Sequence, residues 1–265
     1  VVGDYLVVPE SFSDVSFAAT RTLSDSLVSL LTWQIAEGCE IDVCSGRKYY
    51  TTSITQKDTS VLDRLKVLFH AIMPASTSAH IRAESNSQRP KLEITCKEYV
   101  QYLATLGYAW GNKSASKSFP QDFLNLPEDQ LKKIATAMVA AEGSVGVASC
   151  EISSASRKLL EQLRYILLRL GIFAALHSKR ARATNGSNIY RTYYRLSIAG
   201  QSLRLFSTLG LETECKYKQD KLDLILNKKT NPNFGIYVAD LFAEIRTLGL
   251  QGCLLKPDRK STRLN

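Results

Sequence analysis

One phrase occurs twice in this chain, and the distance between its copies divides the polypeptide. Leu30-Leu31-Thr32-Trp33-Gln34-Ile35-Ala36-Glu37-Gly38 is answered 105 positions later by Ala135-Thr136-Ala137-Met138-Val139-Ala140-Ala141-Glu142-Gly143. Each copy is an apolar helical run closed by Ala-Glu-Gly, and each leads into strand-like sequence. The pattern predicts two helices that end on a glutamate, with the glycine as a left-handed C-terminal cap that carries no Cβ penalty. An acid on the last turn of a helix opposes the dipole by about 0.3–1 kcal/mol. Nature has placed one there twice.

Thr32 and Ala36, like Ala137 and Ala141, are small residues four apart, so each helix carries a smooth stripe on one face. Two such stripes can pack with close backbones. Helices packed in parallel along them would bring Glu37 and Glu142 out together at one end. Two carboxylates and two helix C-termini would then converge, an arrangement that calls for a divalent cation. Either copy alone reads as an ordinary amphipathic helix with a solvated glutamate; their repetition in matching context favours the shared seam.

The paired phrases resemble degenerate LAGLIDADG motifs, aligned so that Glu37 and Glu142 take the motif's final acid. Ile35 and Ala140 stand where the motif has its first aspartate, and Thr32 and Ala137 where it has glycine. The resemblance covers the repeating unit from about Asp25 to Leu226 and implies the monomeric, two-motif homing endonucleases. It implies an α+β fold of two pseudo-symmetric αββαββα units, whose antiparallel sheets form a DNA-binding saddle.

The chain has 265 residues, 45% of them hydrophobic, enough for a full core in one or two domains. Its net charge of +9 favours a polyanionic partner. Six scattered cysteines without a CxxC pair read as reduced thiols. The expectation is a cytoplasmic protein, with no transmembrane stretch or signal peptide visible. Three separated histidines do not make a histidine-based metal site.

In order, residues 1–16 are expected to form a lead-in, 17–111 the first half, 112–127 a linker, 128–232 the second half and 233–265 a C-terminal extension. Val1–Pro9 reads as a short strand with a turn at Gly3-Asp4, and resembles the lead-in to the endonuclease insert of inteins. Without a Cys or Ser at its start or a terminal His-Asn, the chain is not expected to splice itself. Each half then reads helix, hairpin, helix, hairpin, helix, with polar loops at Ser85-Asn86-Ser87 and Asn185-Gly186-Ser187-Asn188. The hairpin after the second motif is the shorter one.

An antiparallel sheet covered by helices on one side displays its other face. Alternation turns Tyr50, Thr52 and Ile54 toward the helices and Arg47, Tyr49, Thr51 and Ser53 away. It turns Leu92 and Ile94 inward and Lys91, Glu93 and Thr95 outward; in the second half Leu196 and Ile198 face in, and Arg191, Tyr193, Arg195 and Ser197 face out. Arg82, Lys179, Arg180 and Arg182 extend this surface. Such side chains at two-residue spacing can read base edges in a major groove. After the first motif, alternation exposes Glu40 and Asp42, whereas the family pattern exposes Ile41 and Val43; a bulge after Cys39 would reconcile the two.

The resemblance further implies hydrolysis of both strands of a long, non-palindromic duplex with short 3′ overhangs. Glu37 and Glu142 would hold Mg²⁺, with Mn²⁺ substituting and Ca²⁺ binding without supporting cleavage. It places a lysine by each site: Lys117, or Lys113, and Lys218, or Lys216. Gln56 takes the place of a polar residue that organises water, and Ser154 its counterpart, so the two sites are expected to be unequal. The competing readings are a cleavage-deficient binder on the same scaffold, such as an RNA maturase or a regulator, and an unrelated nucleic-acid-binding protein whose repeat is accidental.

Overall fold

The computed structural model of the protein describes residues 5–6, 23–44, 46–76, 78–82, 89–146, 148–181, 190–210, 216–227 and 236–237. The expected turn at Gly3-Asp4, both polar loops, Arg182 and most of the C-terminal extension lie outside the described residues, as do the side chains of Asp42, Val43, Arg47 and Lys216.

The chain forms two compact units. One combines Val1–Glu10 with Pro232–Asn265, where strand β1 (Tyr5–Leu6) pairs antiparallel with β10 (Ile236–Tyr237). The other, Ser11–Asn231, holds both copies of the repeat.

In the larger unit, α1 (Asp25–Glu37) runs directly into β2 (Gly38–Cys44), followed by β3 (Arg47–Thr55), α2 (Thr59–Ile72), β4 (Ala79–Arg82), β5 (Lys91–Thr95) and α3 (Lys97–Thr105). A short 3₁₀ turn at Gln121–Asn125 precedes the repetition: α4 (Glu128–Glu142), β6 (Gly143–Val145), β7 (Ser149–Ser154), α5 (Arg157–Arg169), β8 (Ala174–Ala181), β9 (Arg191–Ala199) and α6 (Gly200–Thr208). Helix α7 (Lys216–Leu226) follows. The two sheets have the same strand order, β2-β3-β5-β4 and β6-β7-β9-β8, all antiparallel. Both halves therefore have the αββαββα order that the repeat predicts, and β6 is indeed the short copy of β2.

Polar side chains start the helices. Ser24 accepts the Leu27 amide and Asp58 the Ser60 amide, while Ser156 accepts from Leu159. Helix α1 is buried on every side from Leu27 to Ala36, as suits an element enclosed by both halves. It packs on α4, whose Ile134–Ala140 run is equally buried. The small stripe survives because the Thr32 hydroxyl donates back to the Val28 carbonyl at 2.7 Å. At the N-terminal ends, Gln130 on α4 donates to the Leu23 carbonyl and to Asp25, and Lys133 pairs with Asp25 at 3.3 Å. The helices thus run side by side in the same direction.

One expectation is overturned at the helix ends. Gly38 and Gly143 are extended (φ −70° and −72°), not left-handed. Glycine is required there by close approach instead. A Cβ on Gly38 would lie 2.3 Å from the Gln34 carbonyl oxygen, and one on Gly143 2.4 Å from that of Val139. The chain leaves each helix so sharply that only a hydrogen fits.

Candidate functional site

The seam between α1 and α4 brings the two motif acids together at its C-terminal end. Glu37 is half-buried and Glu142 more open, yet burial raises both carboxyls above the usual range. Glu142 is pushed up to about 7, first by desolvation and then by the charge of Glu37. The Glu37 shift is held back by Lys117, Lys218, a hydrogen bond from Gln56 and the charge of Arg89. Arg89 was not singled out from the sequence. It precedes β5 in an otherwise polar stretch, and only the fold carries it toward Glu37.

Each helix end receives a lysine. The Lys117 ammonium donates to the carbonyls of Gly38 (2.8 Å) and Ala36 (3.3 Å). Lys218 donates to those of Ala140 (2.6 Å), Val139 (3.0 Å) and Ala141 (3.4 Å), and is 4% exposed. The free carbonyls at a helix C-terminus carry partial negative charge, and here a cation meets them on both sides of the seam. This answers the unfavourable placing of an acid on each last turn. Desolvation pulls the Lys117 pKa below that of a free lysine, against the opposing charges of Glu40, Glu142 and Glu37. Lys113 is exposed, and it is Lys117, with Ser114, that lines the cleft beside Glu142.

That cleft is walled by Ile35 and Met138 beneath, and by Ser153, Ser154 and Tyr193 from the second sheet. Ser154 stands two residues beyond the strand partner of Gly143, the register position that Gln56 holds relative to Gly38. Its hydroxyl accepts the amide of Ser156 at 3.1 Å and is tied into the start of α5. The surroundings of Glu37 and Glu142 differ at this position.

The sheet faces agree largely with alternation. Thr52, Ile54, Leu92, Ile94, Leu196 and Ile198 are buried beneath the helices. Tyr49, Thr51 and Ser53 lie on the opposite face with Lys91, Glu93 and Thr95; Thr51 is nearly covered because its hydroxyl meets that of Thr95 at 3.0 Å. Arg82 and Lys91 both pair with Glu93 (3.2 and 3.9 Å). In the second sheet Lys179 lies opposite Tyr193, and His177 opposite Arg195, which pairs with Glu151 at 3.2 Å. Arg191 is exposed at the start of β9.

Register bears on two further positions. Arg180 lies opposite Thr192, in register with Leu176 and Ala174 and not with Lys179, yet it is exposed at the end of β8. Of the two registers open after the first motif, the structure takes the one that exposes Ile41 and turns Glu40 away. Its carboxylate accepts from Gln34 (2.6 Å), Tyr108 (2.6 Å) and the Gly111 amide (2.9 Å), and Ile41 is the exposed neighbour. The bulge falls between Ile41 and Val43, not after Cys39. Gln34, Tyr108 and Tyr99, whose phenol donates to Gln34 at 3.1 Å, form a polar network that alternation could not reveal.

Among the described residues, no group of three or more His, Cys, Asp and Glu side chains is placed to cage a metal ion. The donor set at the seam fits a hard cation that takes few protein ligands and keeps waters: two carboxylates, one half-buried and one open to solvent, with the neighbouring carbonyls already occupied by lysines.

The architecture is α+β, two four-stranded antiparallel sheets and their helices in the two-domain LAGLIDADG arrangement. The family model described as a LAGLIDADG-like domain matches residues 136–220. The chain is similar to a variant of the homing endonuclease I-DmoI, with a TM-score of 0.52 and 16% identity over 72% of this chain and 91% of that one. It is also similar to full-length DUF199/WhiA from Thermatoga maritima, with a TM-score of 0.48 and 14% identity over 92% and 72%. Among curated sequences, it matches the replication factor C small subunit of Methanocaldococcus jannaschii at 31% identity over 153 residues, 57% of this chain and 8% of that protein. It matches the namesake from Thermococcus kodakarensis at 25% over 237 residues, 87% of this chain and 24% of that protein. The match spans less than a quarter of the length of either of these relatives. Among the described residues, no helix is long and apolar enough to cross a membrane.

Proposed function

We propose that this chain is a site-specific, metal-dependent DNA endonuclease, acting as a monomer in the cytoplasm and derived from an intein-type insert. The observation that carries the reading is the meeting of Glu37 and Glu142 at one seam, each on a helix end that also holds a lysine ammonium. The two sheets, with Tyr49, Ser53 and Lys91 on one and Lys179, Arg191, Tyr193 and Arg195 on the other, form the DNA-contacting surface. A net charge of +9 supports a polyanionic partner.

Glu37 and Glu142 would hold Mg²⁺, or Mn²⁺ in its place. Bound there, the ion supplies Lewis acidity at the scissile phosphate and lowers the pKa of its water. Gln56 orients the Glu37 carboxylate, while Lys117 and Lys218 stabilise charge that develops on phosphate oxygens. Each acid serves one strand across the minor groove, which leaves short 3′ overhangs.

The test is incubation of a random-insert plasmid library with Mg²⁺, followed by sequencing of the ends. Recovered ends that share one long site, and that vanish with Glu37→Gln or Glu142→Gln while binding persists, support cleavage. A second reading, binding without cleavage, is favoured by Ser154, whose short side chain stands at the register position from which Gln56 hydrogen-bonds Glu37. Site-selective binding that never yields ends would establish it.

A further inference from the structure

The lysine beside Glu37 does not belong to the first half's own framework. Lys117 sits on the connecting segment, and that segment is fastened to α5 of the second half at three successive points. The Ser156 hydroxyl donates to the Lys117 carbonyl at 2.6 Å. Gln162 accepts the Phe119 amide (2.8 Å) and donates to the Phe119 carbonyl (3.0 Å), holding both backbone groups of one residue. Arg169 donates to the carbonyls of Leu124 (2.6 Å) and Leu126 (3.3 Å). Ser156 and Gln162 are 1% and 8% exposed, and Phe119 is 2% exposed, so these bonds are sheltered from water. From this base the Lys117 side chain crosses the seam to the carbonyls of Ala36 and Gly38.

The other lysine is delivered differently. Lys218 rides on α7, which packs on α6 and β6 of the half whose motif it serves.

Resting on the endonuclease reading, we propose that Gln162 and Ser156 are positioning residues for the Glu37 site, acting from the opposite half of the molecule through the backbone of Lys117 and Phe119. Lys117 also lines the cleft beside Glu142, but it is the first motif's helix end whose carbonyls it holds, so the larger effect falls on the Glu37 site. Loosening α5's hold on the connection therefore slows the strand that Glu37 serves more than the other. A misplacement of about 1 Å in a reacting group can cost of order 10²-fold in rate.

Two measurements test this on the full chain. The first needs no activity: limited labelling with an N-hydroxysuccinimide ester, resolved by mass spectrometry, in wild type, Gln162→Met, Ser156→Ala and Ser156→Thr. Lys117 labelling is expected to rise several-fold in the first two variants and to return in Ser156→Thr, which keeps the hydroxyl, with Lys218 unchanged throughout. The second is strand-resolved cleavage of a duplex carrying the site recovered from the library, with Glu37→Gln identifying the strand that Glu37 serves. Gln162→Met and Ser156→Ala should slow that strand by about 10²-fold and the other by clearly less. Unchanged Lys117 labelling, or an equal loss on both strands, overturns the proposal. A wild-type chain that cuts no DNA overturns the endonuclease reading instead, and labelling then still decides whether Gln162 and Ser156 place Lys117. If Gln162→Met does not fold, the Ser156 pair carries the test.

Discussion

Tyr108 donates its phenol proton to the carboxylate of Glu40 at 2.6 Å, joining the strand after the first motif to the segment that leads toward Lys117. Burial and the Glu40 charge hold that phenol protonated well above its usual range. With Gln34 and the Gly111 amide as further donors, Glu40 is an anchor rather than a displayed acid. Glu40→Ala strips three donors of their acceptor and is expected to lower stability by about 2–4 kcal/mol, with Tyr108→Phe costing about 1. Urea denaturation of both variants gives the comparison. A Glu40→Ala protein as stable as wild type would show that water replaces the carboxylate.

The two motif glycines make a steric prediction. Because the obstruction is a backbone carbonyl rather than a flexible side chain, neither Gly38→Ala nor Gly143→Ala can be absorbed by a rotamer change. Each should cost about 1–3 kcal/mol or more, seen as a lower thermal midpoint. Gly46→Ala is the contrast: its Cβ would meet nothing within 4 Å, but φ is +75°, so its cost is conformational alone.

Raised carboxyls fix the sign of a pH dependence. Glu142 is pushed up to about 7, against an unfolded value near 4.5, so between these the native state binds more protons than the unfolded chain. Its contribution to stability is complete below the unfolded pKa and is lost as pH rises through about 7. Glu37 shifts in the same direction. The metal-free protein should therefore have a higher thermal midpoint at about pH 5 than at about pH 8, and Glu142→Gln should flatten the slope. Added Mg²⁺ should raise the midpoint most at the alkaline end, because it binds the ionised acids.

On the displayed face, Lys179→Ala and Arg191→Ala should each weaken DNA binding and reduce the salt slope by about 1 if the side chain meets a phosphate. Arg180→Ala, one residue along but on the other face, should leave the slope unchanged. Fluorescence anisotropy over a salt series reads both. A slope that falls for Arg180 and not for Lys179 would reverse the register assigned to β8.

Much of this was legible in the residues. Two Ala-Glu-Gly endings in matched surroundings set the duplication, and 3.6- and two-residue periodicities set the helices and the faces of β3, β5 and β9, because burial on one face selects residue type along each element. Small residues four apart set the seam of α1 and α4. What periodicity could not supply was anything that depends on groups distant in the chain. It turned Glu40 outward, since nothing local announces that Tyr108 and Gly111 arrive to satisfy it. It gave Gly38 and Gly143 the commonest conformation for a glycine after a helix, when the deciding factor is how sharply the chain leaves toward the sheet.

The sequence by itself determined which acids end the two helices and that the helices are equivalent, because both follow from local pattern and its repetition. Only the tertiary structure decided which cations meet those helix ends and from which half each is held. Lys117 and Lys218 lie 81 and 78 residues from the carbonyls of Ala36 and Ala140, and over such separations it is packing, not sequence spacing, that sets which charge meets which dipole.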